Sequence, residues 1–138
     1  MITDYDCRNA YIMVDKVDYL LEFEKADQCF KSAENLVIIG DFENAYIILY
    51  RGLQFIGNGV LIKKFGLKSK NKNCQFQYLF NQNLINLKMI EDISDFSEVR
   101  NHIYYNNISI SSEINKTQYE SYSKKIIELV DKLKEVIK

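Results

Sequence analysis

Proline is absent from this chain of 138 residues, and no other feature constrains its fold as strongly. Proline is the residue that most strongly breaks a helix, so long helices can run uninterrupted and the glycines mark the breaks. Apolar residues recur in alternating steps of three and four, which is the spacing of one helical face turned toward a core. The sequence therefore predicts an all-α protein, an antiparallel bundle of four to five helices that forms one domain over residues 1–138.

The first two helices and the turn between them are the clearest prediction. The first helix covers residues 20–39 and ends at Gly40, a natural left-handed terminator. Asp41 then offers a side-chain acceptor to the free N–H groups of the second helix, which ends at Gly66. Because the connection is only about two residues long, we expect the second helix to run back antiparallel to the first.

Three glycines inside the second helix need an explanation. Gly52, Gly57 and Gly59 each cost up to ~1 kcal/mol relative to alanine in a helix. Either neighbouring helices approach closely at these positions, or the C-terminal half of the helix is frayed or kinked.

The rest of the chain alternates between polar loops and apolar helical stripes. We predict a loop over residues 67–72, a short third helix over 75–80 and a long fourth helix over 83–105. Residues 106–115 are polar and β-branched and are predicted as a loop. The last helix opens with Thr117-Gln118-Tyr119-Glu120, in which Thr117 and Glu120 form a capping-box pattern, and it runs to residue 138.

Charge points to a local patch rather than to a basic protein. The formal net charge of −1 argues against nucleic-acid binding by an overall positive surface. The dense positive patch consists of lysines before and within the predicted loop, namely Lys63, Lys64, Lys68, Lys70 and Lys72. These lysines either form a solvated surface or attract an RNA, a nucleotide or an acidic partner, and Lys68, Lys70 and Lys72 are the candidate binding residues.

Cysteine and histidine content argues against metal sites and disulfides. Cys7, Cys29 and Cys74 are far apart and odd in number, and His102 is the single histidine, so we expect reduced thiols and no zinc site. No cofactor is expected. The N-terminus lacks the order of a signal peptide, and no apolar run approaches the ~20 residues of a membrane span. The predicted location is the cytoplasm, without a membrane partner.

The candidate site with the most specific residues lies near the end of the fourth helix. Arg100 borders the apolar stripe there, so it either pairs with a carboxylate or lines a groove for a phosphate or a partner chain. Asn101, Tyr104 and Tyr105 share an arc of the helix with it. At about 100° per residue, His102 lies about 200° from Arg100, and the two side chains point in nearly opposite directions.

Short segments between residues 20 and 137 match one known family in order and spacing. They are Ala26-Asp27-Gln28, Ala33-Glu34-Asn35, Gly40-Asp41-Phe42-Glu43-Asn44-Ala45-Tyr46, the lysine-rich run 63–70, Phe96-Ser97-Glu98-Val99-Arg100-Asn101, and Ser111-Ser112-Glu113. In these segments the chain resembles the HEPN superfamily of small prokaryotic helical proteins.

Many HEPN proteins are metal-independent ribonucleases that act as dimers. Their motif is an Arg, usually followed by a polar residue, and then a His after four to six further residues. The Arg holds the phosphate while the His moves protons. Arg100 and Asn101 match the first half, whereas Tyr105, Asn106 and Asn107 stand where the His is expected. Tyrosine is a poor base near neutral pH because its reference pKa is about 10.

The resemblance implies a HEPN-type module of a toxin–antitoxin or defence system. Such a module would form a homodimer through its fourth helix, bind a nucleotide, RNA or a partner protein, and pair with a small nucleotidyltransferase as antitoxin. The first alternative is an active endoribonuclease in which Tyr105 or a displaced His102 completes the site across the dimer. The second alternative is a helical interaction protein without a nucleic-acid role.

Overall fold

The computed structural model describes residues 7–105 and 114–138, and of Tyr104 and Tyr105 it describes the backbone. Within these ranges the chain forms five helices: α1 Tyr19–Ile38, α2 Phe42–Phe65, α3 Cys74–Asn81, α4 Leu87–Tyr105 and α5 Lys116–Glu135. Two short strands, β1 Tyr11–Met13 and β2 Leu67–Ser69, pair antiparallel with Ile12 opposite Lys68. The predicted all-α helical bundle is confirmed.

The turn between α1 and α2 forms as the sequence predicts. Gly40 adopts a left-handed backbone with φ 78°. Oδ1 of Asp41 accepts a hydrogen bond from the Asn44 amide at 3.3 Å, which caps the start of α2. Gly66 is also left-handed, with φ 67°, and ends α2 one residue after Phe65. Both glycines therefore act as helix terminators.

Helix α2 is the central element of the core. Its buried residues occupy several faces, among them Ala45, Leu49, Leu53, Ile56 and Val60. By length and composition alone α2 could cross a membrane, with a mean hydropathy of 1.3, but 67% of that segment is buried inside the bundle. A helix that is surrounded by other helices needs the same composition.

Close packing explains the glycines within α2. Each glycine lies against a phenylalanine ring of another helix. The pairs are Gly52 with Phe30, Gly57 with Phe76, and Gly59 with Phe23. A Cβ atom at these positions would lie 2.4–2.5 Å from the nearest ring carbon. Of the two explanations that the sequence left open, close approach of neighbouring helices is the correct one.

Two predicted boundaries need correction. The predicted loop 67–72 contains β2, since residues 11–13 supply a partner strand. Helix α4 begins at Leu87 rather than at residue 83, because Asn83 is left-handed with φ 61° and Oδ1 of Asn86 accepts from the Met89 amide. The predicted loop 106–115 lies mostly outside the described residues.

The capping box of α5 lies two residues earlier than predicted. Oδ1 of Asn115 accepts from the Gln118 amide at 2.8 Å, and Oε1 of Gln118 accepts from the Asn115 amide at 3.0 Å. Thr117 and Glu120 therefore lie inside the helix. The pattern was recognised correctly but assigned to the wrong pair, because Asn and Gln can form the same reciprocal bonds.

Candidate functional site

A disulfide between Cys7 and Cys74 ties the N-terminal segment to the first residue of α3. The expectation of reduced thiols was wrong for this pair, whereas Cys29 is a free, half-buried cysteine. The partners are 67 residues apart, and only the fold brings their Cα atoms to 5.6 Å. Disulfides are rare in the cytosol, so the cysteines no longer support a cytoplasmic location, which stays a prediction.

Hydrogen bonds from the N-terminal segment also hold the chain between β2 and α3. The Tyr11 hydroxyl donates to the Cys74 carbonyl at 2.8 Å. The Lys70 amide donates to the Ala10 carbonyl at 2.6 Å. On the other side of this segment, the Ser69 amide donates to Oδ1 of Asn58 on α2 at 3.0 Å. Residues 69–74 are thus fixed from two directions.

Asn73, the residue that precedes α3, is the centre of a buried polar network. Its Oδ1 accepts from the Tyr50 hydroxyl at 2.5 Å and from Nε2 of Gln54 at 3.2 Å. Its Nδ2 donates to Oγ of Ser97 on α4 at 3.2 Å. Asn73 is fully buried and has a positive φ of 74°, a conformation that Asn tolerates better than most residues. The network joins α2, α3 and α4.

A pocket of about 200 Å³ opens beside this network, between α2 and the segment from β2 to α3. Its lining consists of three cationic side chains, four amides, a serine and one aromatic ring: Arg51, Lys70, Lys72, Gln54, Asn58, Asn71, Gln75, Ser69 and Phe55. Among the residues that the structure describes, no carboxylate lines it. The pocket is therefore locally positive in a chain whose net charge is −1, which favours an anionic ligand.

Two of the three predicted binding lysines belong to this pocket. Lys70 and Lys72 line it and are exposed. Lys68 instead extends to α1, where its Nζ lies 3.0 Å from Oε1 of Glu22. Glu22 is 2% exposed and also pairs with Lys25 at 3.5 Å. The charge of Lys68 is thus compensated by a buried carboxylate.

Arg100 is only 8% exposed and lies on the side of α4 that packs against α2. One turn earlier, the Phe96 carbonyl accepts from the Tyr46 hydroxyl at 2.6 Å. Burial raises the pKa of the Tyr46 phenol far above its ordinary value, and the positive charge of Arg100 offsets part of that rise. The arginine therefore belongs to the packing between the two helices.

Among the described residues, the structure does not bring the other predicted side chains of α4 together with Arg100 in one site. Asn101 is half-buried and His102 is exposed, whereas Arg100 is buried. The side chains of Tyr104 and Tyr105 lie outside the described residues, as do Asn106 and Asn107. Of the four residues that were predicted to share this arc of the helix, the structure describes the side chains of Arg100 and Asn101.

No group of three or more His, Cys, Asp or Glu side chains in the described part of the chain could hold a metal ion. Comparison with protein-family models, curated proteins and solved structures finds no match. The HEPN resemblance therefore rests on the sequence segments alone.

Sequence reasoning missed the pocket residues on α2, although a signal for them exists. Arg51, Gln54 and Asn58 are polar and recur at steps of three and four in an otherwise apolar helix. This spacing places them on one face. A polar stripe on a core helix indicates a cavity or a solvent-facing edge, and here it forms one wall of the pocket.

Proposed function

We propose that the protein is a HEPN-type module that binds RNA or a nucleotide in the pocket between α2 and α3 without cleaving it. The observation that carries the proposal is the lining of that pocket, whose described residues include Arg51, Lys70 and Lys72 and no carboxylate. Arginine and lysine are the side chains that bind phosphate groups in proteins. Phe55 and the neighbouring amides add a stacking surface and hydrogen-bonding groups for a base.

Binding without cleavage is favoured over ribonuclease activity by the surroundings of Arg100. A HEPN ribonuclease needs an arginine that reaches the phosphate and a histidine beside it that transfers protons. Arg100 is buried in helix packing, and His102 is exposed on the other side of α4. The two side chains do not share an approach to one phosphate within a chain.

The resemblance to HEPN proteins supports the remaining parts of the proposal. They are a role in a toxin–antitoxin or defence system of the cytoplasm, a homodimer, and a nucleotidyltransferase as the partner. Light scattering on the purified protein tests the dimer, and a monomer would contradict it. Co-purification with the product of the adjacent gene tests the partner, and an unrelated neighbour would contradict the antitoxin assignment.

Fluorescence anisotropy with a labelled single-stranded RNA, in the presence of EDTA, tests the binding itself. If the three cations of the pocket contact phosphates, the logarithm of the binding constant falls with the logarithm of salt concentration with a slope of about −2 between ~50 and ~200 mM. Arg51→Gln, Lys70→Gln and Lys72→Gln should each weaken binding and reduce that slope by about 0.7.

Lys124→Gln is the matched control, because Lys124 is exposed on α5 and does not line the pocket. This variant should bind RNA like the parent protein. An equal loss in Lys124→Gln and in the pocket variants would contradict a defined site. Release of a 2′,3′-cyclic phosphate, abolished by Arg100→Ala, would contradict binding without cleavage and favour the endoribonuclease.

A further inference from the structure

We infer that the pocket takes one unpaired base of its ligand, whose hydrogen-bond-donating edge meets Oε1 of Gln75. The inference rests on the proposed function and makes it more specific: the ligand is a single strand or a free nucleotide and not a duplex. Four observations carry it, namely the fixed orientation of the Gln75 amide, its unsatisfied oxygen, the aromatic ring in the lining and the size of the pocket.

The backbone carbonyl of Gln54 fixes which end of the Gln75 amide is the acceptor. Nε2 of Gln75 lies 3.0 Å from that main-chain oxygen, which can only accept a hydrogen bond. The reverse orientation of Gln75 would place two oxygens against each other, so Oε1 is the atom left over.

Oε1 of Gln75 is buried and has no hydrogen-bond partner among the described residues. Gln75 is 1% exposed and lines the pocket. An unsatisfied buried acceptor is costly, so a ligand that supplies a donor gains affinity over one that does not. Because the oxygen is covered, a base reaches it only after side chains that cover it move aside.

The remaining lining suits a base with its phosphate. Phe55 is half-buried and offers a ring against which a base can stack. Arg51, Lys70 and Lys72 are exposed and lie where the phosphate would remain in contact with water. The volume of about 200 Å³ is below the ~300–1,000 Å³ typical of pockets for drug-sized ligands, which suits one base rather than a stacked pair.

Base pairing would block this mode of binding. The ring N–H donors, N3–H of uracil and N1–H of guanine, lie on the Watson–Crick edge, which a duplex occupies. A single strand leaves that edge free, and its bases can turn out of the stack. The pocket thus selects single strands by a hydrogen bond and not by charge.

Binding of short RNA oligomers of equal charge tests the inference. The probes are a uridine hexamer, a hexamer of 3-methyluridine, which lacks the N3–H donor, and a hexamer of abasic ribose phosphate. We expect the methylated and abasic oligomers to bind about tenfold more weakly than the uridine oligomer. A duplex carries twice as many phosphates per length, so at equal phosphate concentration it should bind no better than the abasic oligomer.

Variants separate a lost hydrogen bond from a steric effect of the methyl group. Gln75→Met removes the acceptor at similar size and should bring the affinity ratio of uridine to 3-methyluridine close to one. Phe55→Leu should weaken both probes equally and leave the ratio unchanged.

Two results would overturn the inference while leaving the proposed function intact. One is salt-dependent binding of the abasic hexamer as tight as that of the uridine hexamer, which would mean that only phosphate is recognised. The other is an unchanged affinity ratio in a folded Gln75→Met protein. Absence of binding to every oligomer, by contrast, would refute the proposed function itself.

Discussion

The Tyr50 hydroxyl lies 2.5 Å from Oδ1 of Asn73, and this bond joins the middle of α2 to the residue before α3. Both residues are buried. Through the same amide, Asn73 also binds Gln54 and Ser97. One side chain thus connects three helices and supports the first turn of α3, from which Gln75 lines the pocket.

Replacement of Asn73 by alanine should lower the free energy of unfolding by about 3 kcal/mol or more. The change removes three hydrogen bonds, leaves the buried Tyr50 and Ser97 hydroxyls without this partner, and places a β-carbon at a positive φ. Urea denaturation measures the loss. Asn73→Gly keeps the backbone freedom and should be the less damaging change by about 1 kcal/mol. A stability of Asn73→Gly equal to that of the parent would mean that the network contributes nothing.

Gly57→Ala should destabilise the protein by about 1–3 kcal/mol, although alanine favours helix formation more than glycine does. The new methyl carbon would lie 2.4 Å from Cε1 of Phe76, a fully buried ring that has no free space to move into. Thermal unfolding followed by circular dichroism measures the change. The double variant Gly57→Ala, Phe76→Leu should recover part of the loss, and additive losses would show that the two positions do not collide.

The helices could be predicted because their causes are local. The steps of three and four define the buried faces, and Gly40 and Gly66 end their helices through a backbone conformation that glycine adopts easily. The strand pair could not be predicted, because β2 depends on residues 11–13, which are more than fifty positions away. The disulfide has the same kind of cause, a contact between residues 67 positions apart.

The candidate site was predictable only where its residues adjoin in sequence. Lys70 and Lys72 appear as part of a lysine run, but the sequence does not distinguish them from Lys68, which turns toward Glu22. Their partners Arg51 and Gln75 come from helices on either side, and only packing brings them together. The helical stripe places Arg100 at the border of the apolar face, whereas its burial comes from packing against residues distant in sequence.

Reduction of the Cys7–Cys74 disulfide should lower the stability by up to about 4 kcal/mol in the chain-entropy model, because the bond closes a long loop with a separation of 67 residues. Thermal melts with and without a phosphine reductant measure this change. Cys7→Ser should have the melting temperature of the reduced protein, with or without reductant. Cys29→Ser should behave like the parent. Alkylation of the unfolded, unreduced chain should label Cys29 alone, and labelling of all three cysteines would refute the bond.

The protein should lose stability as the pH rises above about 10, and Tyr46 should be a main cause. Burial raises the pKa of this phenol in the folded state, with the nearby Tyr50 and Tyr122 acting in the same direction. The unfolded chain therefore releases the proton first, so the stabilising effect is complete below the unfolded pKa of about 10 and is lost as the pH climbs toward the folded value.

Above the unfolded pKa, the free energy of unfolding should fall by about 1.4 kcal/mol per pH unit for each such group. Burial also raises the pKa of Tyr11 and of Tyr119, so they add to the slope. Urea denaturation between about pH 8 and pH 11 gives the profile. Tyr46→Phe loses the 2.6 Å bond to the Phe96 carbonyl and should be less stable at neutral pH, but its profile should be flatter above pH 10. A slope identical to that of the parent would mean that Tyr46 ionises as readily in the folded protein as in the unfolded chain.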